Sequence, residues 1–291
     1  MKNEYLISNV LLRVGAVVAV SLVTSTVATA TEPCGGFGEC KVLIEINTTD
    51  GDIGFHFLVD GDDLVKVEGK NPDGKKFYKS HAKKELREQF FTETFVESAE
   101  PLCREALVEE EGEEVVTLEE FLERWSPGTY VFKGKGNGGE KPMGSTLLTY
   151  ELPAAPTDLM FDDMTDVISW AAGDDLGECA TNAELDDLVM DGILPIHPED
   201  VLVDAWEVVF EPDVDDGDPL GKLKFIIRVS GDPDDFAPLA VTVPGEYLDS
   251  LPDDTLVKIE VGAIGGEDNA TFTEIFDVCV NEDEGCDDDE D

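Results

Sequence analysis

The sequence predicts a mostly β fold, for three reasons. Short runs rich in Val, Ile, Phe and Thr recur along its length. Asp/Gly and Pro/Gly turn signals separate those runs. Helical periodicity is confined to a few short stretches. At 291 residues and 42% apolar content, the chain has material for one large or two ordinary domains.

The first 30 residues stand apart. Lys2 and Arg13 supply a positive start, residues 14–27 (VGAVVAVSLVTSTV) are apolar apart from Ser and Thr, and Ala28-Thr29-Ala30 is a small-x-small cleavage pattern. A membrane-spanning helix needs about 20 apolar residues, and this core is shorter. The expectation is a signal peptide over 1–30, with no membrane span after its cleavage and a secreted, periplasmic or cell-surface location. Pro33 precedes Cys34 where a lipoprotein box needs a small residue.

Residues 31–152 read as a β-rich α+β domain with short helices. Runs 41–47 (KVLIEIN), 54–59 (GFHFLV) and 64–68 (LVKVE) are expected strands, with turns at 49–52 and at Asp60-Gly61-Asp62. His56 points away from Phe55 and Phe57 by the period-2 rule and reads as a surface residue. Asn71-Pro72-Asp73-Gly74 is a turn. Residues 81–89 suit a short helix, and 90–97 alternate as a strand. Residues 104–114 are glutamate-heavy and read as a solvated loop or frayed helix.

Thr117-Leu118-Glu119-Glu120 is a capping box opening a helix that stops before Pro127-Gly128. Leu118, Phe121, Leu122 and Trp125 fall on one face of that helix and are expected in the core. Residues 129–133 and 145–152 form a hairpin around the Gly-rich stretch 134–144. That stretch is no phosphate cradle, because no GK[ST] closes it and no helix follows. Leu152-Pro153-Ala154-Ala155-Pro156 marks a boundary, since prolines favour an extended connector.

Residues 153–280 carry strands at regular spacing: 156–161, 166–170, 202–210 (LVDAWEVVF), 223–229 (LKFIIRV), 239–244, 255–264 (TLVKIEVGAI) and 270–280. This pattern resembles a fibronectin type III domain, with the runs matching its strands A, B, C, C′, E, F and G and Trp170 its buried core tryptophan. The resemblance implies a β-sandwich without catalysis that spaces other modules, or binds proteins or glycans through loops and sheet edges. The chain departs from the family in two places. Leu256, Val257 and Ile259 stand where strand F usually carries a corner tyrosine. Residues 172–203 are a long insertion between strands B and C, with a short helix expected over 184–190. It is expected to lie over one end of the sandwich, tied down by Cys179.

Charge narrows the function. With 67 acids against 20 bases, the net charge of −47 repels phosphate backbones and disfavours nucleic acid as a partner. The expected partner is a protein or glycan. Residues 281–291 read as an acidic, solubilising tail. Six cysteines in an exported chain favour disulfides. Cys34 with Cys40 and Cys279 with Cys286 would close short loops, which leaves Cys103 with Cys179 by elimination. A zinc site competes poorly, because no CxxC pair occurs and no histidine lies near a cysteine at ligand spacing.

For Ca²⁺, Asp213, Asp215, Asp216 and Asp218 gather oxygen ligands on one turn. They fail the EF-hand pattern, since Gly217 and Lys224 occupy ligand positions. No GxSxG or HExxH motif occurs, and His56, His81 and His197 are the only histidines. The reading is an exported, non-catalytic interaction or structural module without cofactor. A Ca²⁺-stabilised accessory protein is the first alternative, and a glycan-processing enzyme the second. Sequons at Asn47 and Asn269 are glycan acceptors only in a eukaryotic secretory pathway.

Overall fold

The computed structural model describes residues 34–108, 112–215, 217–231, 239–281 and 286. The expected signal peptide, nearly all of the acidic tail and Asp216 lie outside the described residues. The fold is mostly β, as the strand-length alternation requires. In the first half come β1 (Glu39–Asn47), β2 (Asp52–Lys70), β3 (Lys76–His81), α1 (Lys84–Gln89), β4 (Phe91–Glu97), α2 (Leu118–Arg124), β5 (Gly128–Gly136) and β6 (Met143–Leu148). The second half holds β7 (Pro156–Asp162), β8 (Val167–Ala172), α3 (Asn182–Met190), β9 (Val203–Pro212), β10 (Phe225–Ser230), β11 (Ala240–Thr242), α4 (Gly245–Leu248), β12 (Thr255–Gly265) and β13 (Ala270–Val280).

Residues 54–68 differ from expectation. Asp60-Gly61-Asp62 does not reverse the chain, and one strand of 19 residues runs through it. The strand bends instead, with Asp63 at φ +49°. Its first part pairs with β1 and β4, its second with β3 and β5. Gly61 is needed at the bend because the Phe37 ring lies where a Cβ would project. The helix α2 forms as its sequence indicates: Thr117 accepts the Glu120 amide, Leu118, Phe121 and Leu122 are buried, and the Trp125 ring stacks on Phe55 at 3.8 Å.

The second core lies between two sheets. The small one has the order β11-β8-β7. The other face is β10-β9-β12-β13, part of a ten-stranded sheet. Ile168, Trp170 and Val241 meet Trp206, Phe210, Val257 and Ile259 between them. Tyr247, on α4 just before β12, shares its hydroxyl proton between the Phe210 and Leu223 carbonyls at 3.1 and 2.8 Å.

The insertion 172–203 departs from its expected place. Leu176, Cys179, Ala180, Leu185 and Leu194 join the core of the first half. A Cys103–Cys179 disulfide fixes it there, and Cys34–Cys40 and Cys279–Cys286 are the other two bridges. The reason is apolar surface. The α3 helix buries Leu185 against the first-half core, with Leu188 and Val189 packed beside it.

The two halves share one sheet. Glu45, Ile46 and Asn47 of β1 pair in parallel with Ala270, Thr271 and Phe272 of β13. Asn269, 1% exposed, secures this seam. Its Oδ1 accepts the Ile44 amide at 2.9 Å, and its Nδ2 donates to the Thr149 and Glu151 carbonyls, each at 3.1 Å. This leaves the Asn269 sequon sealed inside the folded chain. Replacing Asn269 with Ala would strand the Ile44 amide and two carbonyls, and is expected to cost about 2–4 kcal/mol. Urea unfolding checks it, and an unchanged midpoint would refute the role.

Candidate functional site

One sheet face at the seam is charged. Period-2 alternation puts Glu45 and Asn47 of β1, His56 of β2, Phe272 and Glu274 of β13, and Lys258 and Glu260 of β12 on the side opposite the core. The β1–β2 turn adds Asp50 and Asp52, and the segment after β4 adds Glu100. These residues, apart from His56 beside them, line a cleft of about 250 Å³.

His56 is 4% exposed, which corrects its reading as a surface residue. It does point away from Phe55 and Phe57, but the face it reaches is covered. Its Nε2 lies 3.1 Å from Glu100 Oε1 and its Nδ1 3.6 Å from Glu45 Oε2. Gly54 sits beside them, where a Cβ would press on both Glu100 and His56.

Six carboxylates around one lysine cannot all ionise at ordinary cost. Burial, then the charges of Glu100, Asp50, Glu274 and Glu45, push Asp52 up to about 7. Burial and the facing Glu274 carboxylate push Glu260 up to about 9. Burial alone would also raise Glu274. The hydrogen bonds from Glu260 and Lys258 outweigh it and hold Glu274 low, so the shared proton sits on Glu260. Lys258 Nζ reaches Glu274 Oε1 at 3.1 Å and Glu211 at 3.6 Å.

The second charged feature lies on the exposed face of β5-β2-β3. Lys66 stands opposite His81 on one side and Lys135 on the other, and Glu68 stands between Lys79 and Lys133. Residues directly opposite across a ladder share a face. Val67 and Phe132 on the reverse side are fully buried, so this face looks outward. Lys70 and Lys76 extend it. Glu68 is its one acid, held down at about 2 by its hydrogen bonds to Lys66 and Lys76. His81 is lowered by Lys83 first, then by loss of hydration, and then by Arg87, Lys66 and Lys79.

The aspartates expected to hold Ca²⁺ lie elsewhere. Asp213, Asp215 and Asp218 are exposed, on the connection after β9. The Asp218 carboxylate accepts the Leu220 amide at 2.8 Å. Among the described residues these acids do not bring three ligand atoms together, whereas Glu45, His56 and Glu100 do. No local pattern marks the cleft, because its parts are up to 229 residues apart (Glu45 to Glu274). The lysine face had a readable signal in the i, i+2 spacing of Lys66, Glu68 and Lys70 and of Lys133 and Lys135. Among the described residues no helix is long and apolar enough to cross a membrane.

No family model and no curated protein matches the chain. Two similar solved structures are an adhesin chain and a domain of a biofilm-associated protein. A chain of a 1.5-MDa bacterial ice-binding adhesin, described for its retention on the host cell surface, is 11% identical. It is matched over 86% of this chain and 65% of that one, with a TM-score of 0.22. The BSP domain of a biofilm-associated protein is 10% identical over 86% of this chain and 30% of that one, also at 0.22. This chain spans less than two thirds of either. Scores this low carry no argument about fold or function.

The cleft makes stability depend on pH. The folded-state pKa of Asp52 lies above the unfolded one. Its stabilising proton is therefore fully present below about 4 and lost as pH rises through about 7. In EDTA-treated buffer the melting temperature is expected to fall across that interval. Asp52→Asn should remove part of the fall, with no change at pH 4 and a gain of about 3 °C at pH 8. Thermal melts of both proteins from pH 4 to 8 decide it, and equal melting temperatures at pH 8 would count against this electrostatic reading.

Proposed function

We propose that the chain is an exported, non-catalytic interaction module that holds a polyanionic glycan or protein outside the cell. One observation carries this reading: the lysine face on β5-β2-β3. In a chain of net charge −47, six lysines collect on one outward sheet face with a single acid among them. Such segregation leaves a local positive field that attracts an anionic partner while the rest of the surface repels it. A twisted sheet face presents the charges in rows, which suits an extended polyanion such as a uronate or sulfated glycan.

The other half supplies a scaffold in this reading. A fibronectin type III-like sandwich is the reading for this half, supported by a small sheet of order β11-β8-β7 facing β10-β9-β12-β13. The three disulfides suit an oxidising, extracytoplasmic compartment. They also restrain the unfolded chain, the Cys103–Cys179 loop most of all.

Retention on heparin and polygalacturonate columns against neutral dextran tests the proposal. The chain should bind the acidic columns and elute with rising salt. Lys79→Gln/Lys133→Gln/Lys135→Gln should weaken that binding by about tenfold or more without lowering the melting temperature, since all three side chains are exposed. Equal retention of variant and parent, or binding to neutral glycan that ignores salt, would overturn the assignment to this face.

A further inference from the structure

We propose that the cleft on the β1–β13 seam is a divalent-cation site, and that Ca²⁺ is the ion its ligands select. The proposal stands apart from the lysine face. Four features of the cleft lead to it.

The first is convergence. One ligand atom each from Glu45, His56 and Glu100 lie within 4.8 Å of one another, close enough for one ion to bridge. The second is Glu274. Its side chain is 3% exposed, it lines the cleft, and its enclosed Oε2 has no partner among the described residues beyond the proton shared with Glu260. Lys258 satisfies Oε1 alone. A buried carboxylate oxygen of this kind is satisfied by a proton shared with Glu260 or by a cation in the cleft.

The third feature is the chemistry of the donor set. Asp52 and Glu260 line the cleft with Glu45, Glu100 and Glu274, so hard oxygen donors dominate. Ca²⁺ takes six to eight such ligands in irregular geometry at about 2.3–2.6 Å, whereas Mg²⁺ demands a tight octahedron and keeps its waters. Zn²⁺ favours nitrogen and sulfur, and this site offers one imidazole, with every cysteine in a disulfide. The fourth is position. The three convergent atoms come from β1, β2 and the segment after β4 on one side of the seam, and Glu260 and Glu274 line the same cleft from β12 and β13 on the other. An ion there ties the two sides together, and it neutralises acids that otherwise repel across the junction.

The test uses the mature full-length chain stripped with EDTA. Equilibrium dialysis against radioactive Ca²⁺ should find one tight site per chain. Saturating Ca²⁺ should raise the melting temperature by about 5 °C, more than Mg²⁺ at matched ionic strength. Glu45→Gln/Glu100→Gln should weaken binding at least about tenfold and erase the shift. Both amides can still hydrogen-bond His56, like charges are removed and Glu274 keeps its Lys258 partner, so in EDTA this variant should melt no lower than the parent. That result separates lost binding from lost folding. Asp213→Asn/Asp215→Asn/Asp218→Asn should leave the tight site intact.

The proposal falls if no stoichiometric binding is found, if the cleft variant binds as tightly as the parent, or if binding is lost with the 213–218 loop instead. It falls equally if Mg²⁺ matches the Ca²⁺ shift, or if Zn²⁺ occupies the cleft while Ca²⁺ does not.

Discussion

The parallel pairing of β1 with β13 is the constraint on which the rest of the structure depends. Three residue pairs join a sheet that would otherwise be two. They are reinforced from outside the ladder. Thr48 donates to the Phe272 carbonyl at 2.9 Å, and Thr49 accepts the Glu274 amide at 2.8 Å. Thr273 reaches on to Pro156 at 2.8 Å, so the connector between the halves is held by the same seam. Closing it brings together residues more than two hundred positions apart, at an entropic cost on the order of 5 kcal/mol. Side-chain hydrogen bonds to buried backbone groups are a direct way to offset that cost, and Asn269 alone supplies three such bonds to two separate segments, at Ile44 and at residues 149–151.

The insertion follows the same logic. A loop of about thirty residues between β8 and β9 carries its own apolar residues and must bury them. The sandwich is already filled by Trp170, Trp206 and Phe210, so Leu176, Leu185 and Leu194 fill the first core instead. The Cys103–Cys179 bridge then makes a second covalent route between chain segments that the seam joins by hydrogen bonds. The two cores stay distinct while the backbone between them is doubly fastened.

Much of the fold was legible because alternation and turn chemistry are local. Strands β7 to β13 sit close to where the apolar runs place them, and Thr117 caps α2 as its box indicates. The failures share one cause. Period-2 alternation says which face a residue takes, and it does not say what covers that face. His56 was read correctly as opposite to Phe55 and Phe57 and wrongly as exposed, because Glu100 closes over it from a segment 44 residues away. Asp60-Gly61-Asp62 has the composition of a turn, yet pairing with four neighbouring strands keeps β2 extended through it. That Leu256, Val257 and Ile259 leave β12 without a tyrosine was legible, and the anchoring of Phe210 and Leu223 by Tyr247 was not.

Net charge misleads in a similar way. A value of −47 describes the chain's mean repulsion and conceals its distribution. The register of β2 with β3 and β5 collects lysines on one face, and the register of β1, β12 and β13 collects carboxylates on another. Both arrangements arise from pairings that composition does not encode. They also pull in opposite directions. The lysine face costs little, because its side chains extend into water where charge is well screened. The cleft is costly, because several of its acids are partly or fully buried and crowd one another. Folding therefore concentrates the chain's electrostatic strain at the one junction that its hydrogen bonds most strongly reinforce. A proton on Glu260 relieves part of that strain in the bare cleft. Solution conditions consequently act on this protein chiefly through the few residues that join its halves.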